Sequence, residues 1–214
     1  MDGGAKVAHS DAMTLLYSLR SCVAALLALL LALGLTAPAA AATVTVTVGN
    51  NFFNPATVTR GPGTTVTWQK EGSGIHNVSS ATGMFRSGDT SPEPFTFTRV
   101  FSSGTFAYMC EFHGSDMTGT IRIRPRTLAA PDGLPFTVQW ANDSTNTGST
   151  FRVQYRSGGG DWKTWKAATG NFSGVFGRSQ EPVRVVDGRQ YRFRVRSMSG
   201  GDASTNSPVV SFTP

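Results

Sequence analysis

From Thr43 to the C-terminus, polar and apolar residues alternate in short runs, and this period of two constrains the fold more than any other feature of the chain. The first run reads TVTVTV, and PFTFTRV, GTFAY, GTIRI and YRFRVR repeat the rhythm. Successive side chains of a β-strand point to opposite faces, so each run predicts a strand with one buried face. No stretch after residue 43 has a helical period, and Gly, Pro and Ser separate the runs. The sequence therefore predicts an all-β protein, built as a sandwich or a barrel.

Residues 1–42 have the composition of a secretory signal. An apolar block of 15 residues, 21–35, is followed directly by the small-residue run TAPAAAA. The block is short for a membrane span and the small residues suit a signal peptidase, so we expect cleavage at the end of this run. Translation starts at either Met1 or Met13. We expect the mature chain to be exported, without a transmembrane span, to the periplasm, the cell envelope or the medium.

The strand rhythm of the mature chain lapses once, in the segment PRTLAAPDGLP at residues 125–135. A second set of strand-like runs follows it, including FTVQW, TFRVQYRS and VVSFT. We therefore predict a first domain at 43–126 and a second domain at 127–214, behind the signal at 1–42. The Pro- and Gly-containing composition of the junction also predicts few contacts between the two domains.

Charge and motif content exclude several classes of function. The mature chain has 17 basic and 11 acidic side chains, a net charge of +6, and no nucleic-acid-binding motif. A basic excess of this size gives at most weak attraction to anionic surfaces, so we expect no nucleic-acid partner. The chain also lacks G-x-S-x-G and a paired-carboxylate setting, so hydrolytic chemistry has no support.

The few metal-binding side chains of the mature chain lie close together. One cysteine, Cys110, and two histidines, His76 and His113, remain after the signal is removed, so an internal disulfide is excluded. Cys110 ends a predicted strand, His113 and Met117 follow on the next loop, and His76 lies in the strand-like segment GIHNVSS. Zinc sites rarely include methionine, whereas two histidines, one cysteine and a weak axial methionine are typical of mononuclear blue copper. The donor set predicts one copper ion bound by these four residues.

Two other methionines compete for the axial position. Met109 is adjacent to Cys110 in the same predicted strand, so it points to the opposite face. Met84, in TGMFRSG, is interpreted as packing, although nothing in the sequence excludes it as a ligand.

The spacing of these residues resembles that of the plastocyanin-like cupredoxins. The chain carries G-x-H-x-V, F-x-S-G, G-x-F-x-Y-x-C-x-x-H and M-x-G-x-I in the order of that family, and the resemblance covers nearly all of residues 43–126. It implies a Greek-key β-sandwich with type 1 copper at one end. It also implies that Asn77 ties the two ligand segments together and helps to set the hydrogen bonding of the cysteine sulfur. The copper ligands implied are His76, Cys110, His113 and Met117.

Residues 127–214 resemble a fibronectin type III module, a second β-sandwich. Trp140, Tyr155 and Tyr191 carry the resemblance, and Tyr191 occupies the place of the module's corner tyrosine. The apolar residues of YRFRVR face the core and its three arginines face solvent, either as a solvated sheet face or as a patch for an anionic partner. Trp162 and Trp165 are interpreted as packing rather than as a sugar-binding platform.

The small number of histidines narrows the function further. Two histidines are too few for the trinuclear cluster of a multicopper oxidase or for the second copper of a nitrite reductase. We therefore predict an electron carrier rather than an enzyme. It exchanges single electrons with a redox partner protein, and the fibronectin-like domain docks to a protein partner or the cell envelope. The alternative is a copper-binding or adhesive protein that uses copper for trafficking, sensing or stability.

The carrier hypothesis also assigns separate roles to the two histidines. We expect His76 to be buried. His113, beside Phe112 on the loop, is expected to form the exposed edge through which electrons pass.

Overall fold

The computed structural model of the protein describes residues 42–129, 135–142, 148–177 and 183–214. Within these ranges the chain forms strands and loops and contains no helix, which confirms the prediction of an all-β protein. No segment in the same ranges forms a helix with the length and apolar character needed to cross a membrane. The predicted signal, except for its last residue, lies outside the described residues.

The first half of the described chain forms two four-stranded sheets. Its strands are β1 (Thr43–Gly49), β2 (Phe52–Asn54), β3 (Thr57–Arg60), β4 (Thr64–Lys70), β5 (Ser79–Ser80), β6 (Phe95–Phe101), β7 (Gly104–Cys110) and β8 (Gly114–Ile123). One sheet has the order β2-β1-β4-β6 and the other the order β3-β8-β7-β5. The β1–β4 and β3–β8 pairs are parallel, and the other pairs of these two sheets are antiparallel.

The alternating sequence decides which side chains fill the space between these sheets. In β1, Val46 and Val48 are fully buried, and the threonines beside them are exposed. In β4, Val66 and Trp68 are buried in the same way. The Trp68 ring packs edge-on against Tyr108 of β7, with ring centroids 5.3 Å apart, and so joins the two sheets. Burial of these side chains fixes β4 and β7, the strands that lead into the candidate site.

The second half forms a three-stranded and a five-stranded sheet around a separate core. Its strands are β9 (Arg126–Leu128), β10 (Phe136–Gln139), β11 (Thr150–Ser157), β12 (Lys163–Thr169), β13 (Ser173–Phe176), β14 (Tyr191–Ser199), β15 (Asp202–Ala203) and β16 (Val210–Phe212). The smaller sheet has the order β13-β10-β9. The larger has the order β12-β11-β14-β15, with β16 also paired to β14.

Aromatic side chains dominate the second core, and one of them, Tyr191, forms a local hydrogen bond. The Tyr191 hydroxyl accepts a hydrogen bond from the Val186 N–H at 2.9 Å, the contact expected of a corner tyrosine. Trp140 is fully buried, and Trp165 is in the same core. Trp162, in contrast, lies outside this core, against two arginine side chains.

Buried hydrogen bonds join the two halves, so the prediction of few contacts between them is wrong. The Ser197 hydroxyl donates to the Ser103 carbonyl at 2.7 Å and lies 2.8 Å from the Ser102 hydroxyl. Thr105 and Thr205 exchange backbone hydrogen bonds of 3.1 and 3.0 Å. Ala41–Pro214 accordingly forms one compact unit. The composition of the junction did not indicate this, because the contact is made by other segments.

The domain boundary after residue 126 stays a prediction. That position falls inside β9, which pairs with β10 of the second half.

Candidate metal centre

Cys110 reaches the site through an irregular turn at the end of β7. The register with β8 shifts between Met109 and Cys110, and Cys110 then pairs with Gly114. The His113 N–H donates to the Cys110 carbonyl at 3.2 Å, which closes the turn. Gly114 has a φ of 56°, a conformation that glycine adopts without a steric penalty. The turn leaves Cys110 fully buried and His113 half-buried.

His76 comes from the loop between β4 and β5. Its backbone N–H and carbonyl exchange hydrogen bonds of 3.1 and 3.0 Å with Ser91, which hold this loop against the segment that precedes β6. Gly74 has a φ of 97°, and a Cβ at this position would lie 2.7 Å from His76 Nε2. A glycine is therefore needed for the imidazole to pack against the backbone. The His76 side chain is buried, with 1% of its surface exposed.

The structure brings three of the four predicted ligands together. One ring nitrogen of His76, one of His113 and the sulfur of Cys110 lie within 4.8 Å of one another. Cys110 Sγ is 3.9 Å from His76 Nδ1, and the two imidazole centroids are 4.9 Å apart. Metal–nitrogen and metal–sulfur bonds are about 2.0–2.3 Å long, so a small closing movement of these side chains is enough to complete a site.

The chemistry of these three side chains fits a bound metal. His113 Nδ1 is buried and has no hydrogen-bond partner among the described residues. A buried polar atom left unpaired costs about 1–3 kcal/mol, so such atoms call for a ligand. Burial lowers the pKa of His76, and the His113 ring and the Lys70 ammonium lower it further. The neutral imidazole that results is the form that binds metals.

Met117 occupies the first part of β8 and is 1% exposed. It belongs to the buried cluster that also contains Cys110. Of the two competing methionines, Met84 is half-buried against the same cluster, and Met109 is half-buried in β7. The assignment of Met117 as the axial ligand stays a prediction.

Asn77 ties the two ligand-bearing segments together, as the family resemblance implies. Its Nδ2 donates to the Gly88 carbonyl at 3.0 Å and to Glu111 Oε2 at 2.8 Å. Its Oδ1 accepts a hydrogen bond from the Glu111 N–H at 2.9 Å. The side chain is fully buried. The two bonds with Glu111 hold the residue after His76 against the residue after Cys110, and the third fixes Asn77 to the Gly88 backbone.

Arg86 and Glu111 extend this link to the surface, and the sequence did not reveal them. Arg86 Nε and Nη2 donate to the two carboxylate oxygens of Glu111 at 2.9 and 2.7 Å, and Nη1 donates to Asp89 at 2.8 Å. The Arg86 guanidinium is the main reason that the pKa of Glu111 falls to about 2. Glu111 adjoins Cys110, but Arg86 lies 25 positions away, and no local pattern predicts such a pair.

Lys70 is a buried cation that the sequence pattern did not lead us to expect. It is the last residue of β4 and is 1% exposed. Its Nζ donates to the carbonyls of Gly72 and Pro92 at 2.9 and 2.6 Å, and its charge is one cause of the low pKa of His76. The alternation of β4 does place this residue on the buried face, so the sequence contained a signal for it.

An exposed apolar edge lies beside the candidate site. Phe112 is 61% exposed, and its ring centroid is 4.9 Å from that of His113. Ile75, which precedes His76, is 37% exposed. His76 is buried, whereas His113 is half-buried and contacts this exposed edge, as expected.

Comparison with known proteins yields matches among solved structures only. No protein-family model matches the sequence, and no curated protein is significantly similar to it. A purple cupredoxin from Nitrosopumilus maritimus is 25% identical, with a TM-score of 0.34, and the alignment covers 37% of this chain and 98% of that one. A mutant fern plastocyanin is 25% identical over 37% of this chain and 99% of its own, with a TM-score of 0.31.

A mutant amicyanin in the Cu(I) form is 20% identical over 37% of this chain and 79% of its own, with a TM-score of 0.33. All of these TM-scores are below 0.5, so only the side chains of Cys110, His76 and His113 support a metal centre.

Proposed function

We propose that the exported chain is a type 1 copper protein that carries single electrons. The observation that supports this proposal is the convergence of Cys110, His76 and His113 within 4.8 Å, with an unpaired buried nitrogen on the His113 imidazole. One thiolate and two imidazoles suit copper, and the donor set becomes that of a blue copper site if Met117 supplies the weak axial contact. Copper in such a site supplies a one-electron couple between Cu(I) and Cu(II).

The protein's own residues keep that site dry and rigid. Cys110, His76 and Met117 are each at most 1% exposed, so water has little access to three of the four proposed ligands. The Asn77–Glu111 hydrogen bonds fix the two segments that carry His76 and Cys110. Residues that hydrogen-bond around the metal ligands orient those ligands and tune the properties of the metal. A rigid arrangement changes little between oxidation states, which favours fast exchange of one electron.

We propose His113 and Phe112 as the point of electron exchange with a redox partner protein. Phe112 offers an exposed aromatic surface in contact with the half-buried His113 ring. The second half of the chain contributes neither cysteine nor histidine and is proposed to hold the protein to a protein partner or the cell envelope. Export to the periplasm or the cell surface is part of the same proposal.

The visible spectrum of the purified protein with one equivalent of Cu(II) tests the proposal. A thiolate bonded to Cu(II) in a plane with two imidazoles gives intense charge transfer, so we expect a strong blue or green colour. Cys110→Ser should abolish the colour, whereas Met109→Leu, next to it in β7, should keep it. A colourless Cu(II) complex would defeat the proposal. A coloured protein that does not cycle reversibly at an electrode would favour copper storage or sensing instead.

A further inference from the structure

The outer face of the larger sheet in the second half carries an unusual concentration of arginine. Side chains at alternate positions of β11 and β14 share this face, and register places Arg152 directly opposite Arg196 and Arg156 directly opposite Arg192. Like charges directly opposite each other on neighbouring strands are destabilising. A fold that keeps two such pairs on one face, on either side of the Gln154–Arg194 pair, has a local electrostatic cost that packing does not explain.

Within the described ranges, no acidic side chain forms an ion pair with these arginines. Both ion pairs found among the described residues belong to Arg86, in the first half. Asp202 has its carboxylate next to Gly83, and Asp161 lines a different cleft together with Lys163. Burial and the charges of Arg156 and Arg152 lower the pKa of Arg194, as expected for cations that lack a nearby counter-charge.

The arginines surround an open cavity of about 390 Å³. None of the described residues that line it is a carboxylate; they are Arg152, Gln154, Arg194, Arg196, Thr205 and Asn206. Three arginines and two residues with side-chain amides thus line one cavity. The cavity is large enough for a small polyatomic anion and its hydration water.

The guanidinium groups are held in place by uncharged partners. Two guanidinium groups stack over the Trp162 ring, with Cζ of Arg194 4.3 Å and Cζ of Arg156 4.9 Å from the ring centroid. Arg194 Nε donates to Gln154 Oε1 at 2.8 Å, and Arg196 Nε donates to the Ser204 carbonyl at 2.7 Å. In both arginines the described hydrogen bonds use Nε and leave the paired terminal nitrogens for another acceptor. Such a fork matches the geometry of an oxyanion.

We infer that this cavity is a binding site for a doubly charged tetrahedral oxyanion, in particular the phosphate monoester dianion. Three positive charges around one cavity need more than the single charge of a carboxylate for neutralisation, whereas a phosphate monoester carries about two negative charges near neutral pH. Its three terminal oxygens also provide acceptors for three guanidinium groups. The ligand is either free inorganic phosphate or a phosphate group on a larger envelope molecule. This site is separate from the proposed copper centre and does not depend on it.

Calorimetric titration of the purified mature protein with inorganic phosphate, at pH 7.5 and low ionic strength, tests the inference. We expect saturable binding with one site per chain, and binding of acetate at least about tenfold weaker because it has one charge. Arg152→Gln should weaken phosphate binding at least about tenfold, since a charge-assisted hydrogen bond is lost. Arg60→Gln removes the same charge from an exposed position in β3, and its effect should stay below about twofold.

If Arg152→Gln does not fold, a second variant still tests whether the cavity binds phosphate. Asn206 is exposed, and Asn206→Asp places a negative charge at the cavity without removing a described side-chain hydrogen bond. It should weaken phosphate binding at least about tenfold. Glucose 1-phosphate is the probe for the source of the ligand. If glucose 1-phosphate binds more tightly than inorganic phosphate, the ligand is a phosphate ester on a larger molecule. If it binds more weakly, the ligand is free phosphate.

Several results would overturn the inference. One is the absence of saturable phosphate binding by the unaltered protein. The others are an equal loss of affinity in Arg60→Gln and Arg152→Gln, or equal affinities for acetate and phosphate.

Discussion

Replacing Asn77 by alanine should destabilise the protein by about 3 kcal/mol even without copper. The substitution removes three hydrogen bonds, at 3.0, 2.8 and 2.9 Å, from a side chain that is fully buried. The bonds to the Gly88 carbonyl and the Glu111 N–H are worth about 1 kcal/mol each. The bond to the Glu111 carboxylate is charge-assisted, but that side chain is 37% exposed, so solvent screening reduces it to about 1 kcal/mol as well.

Thermal and urea denaturation of the copper-free protein measure this effect. For a domain of 150–250 residues, about 3 kcal/mol corresponds to a fall in Tm of about 6–12 °C. Asn50→Ala is the matched control, because Asn50 is exposed and surface substitutions stay within about 0.5 kcal/mol. Glu111→Ala removes only one of the three bonds, so the double-mutant cycle of Asn77 with Glu111 should give a coupling of about 1 kcal/mol.

The same variant gives a functional readout. If Asn77 positions Cys110 through Glu111, the copper-loaded Asn77→Ala protein should show a weaker and shifted visible band than the unaltered protein. A loss of stability no larger than that of Asn50→Ala would refute the reasoning, because it would show that Asn77 does not hold the two ligand segments together in solution.

Three further predictions concern the halves of the chain and the exposed edge. Ser197→Ala should cost about 2 kcal/mol in urea denaturation, since its hydroxyl bonds Ser102 and Ser103 in a buried setting, whereas exposed Ser211→Ala should cost almost nothing. Copper at 1,000 times its dissociation constant should add about 4 kcal/mol and move a single calorimetric transition upward as a whole; two separate transitions would show that the halves unfold independently. Phe112→Lys should slow electron exchange with a partner by stopped-flow more than it shifts the reduction potential, and the reverse result would argue against this edge.

The parts of the structure that the sequence predicted are those that follow from local periodicity and from rare residue types. Alternation placed Val46, Val48 and the core-facing residues of β14 correctly, because a strand has only two faces. The scarcity of cysteine and histidine pointed to the cluster of Cys110, His76 and His113 before any distance was known.

What the sequence did not predict depends on residues that are far apart and chemically ordinary. The Arg86–Glu111 pair spans 25 positions, and arginine and glutamate are common on surfaces. The contact between the halves relies on serines such as Ser102 and Ser197, which sequence alone does not distinguish from loop serines. The contact of Trp162 with Arg156 and Arg194 depends on the register of β11 and β14, which the sequence does not show, so the sequence indicated only packing for this ring.

The geometry of β7 relates the proposed copper site to the contact between the halves. Thr105, near the start of this strand, exchanges hydrogen bonds with Thr205, and Cys110 ends the strand. Five residues of extended chain span about 16–17 Å, so the contact and the candidate metal centre lie at opposite ends of one rigid strand. The second half therefore anchors the end of the first sandwich that is distant from Cys110, and the exposed Phe112 stays available to a redox partner. An arrangement of this kind lets one chain be held at a surface through its second half while it exchanges electrons through its first.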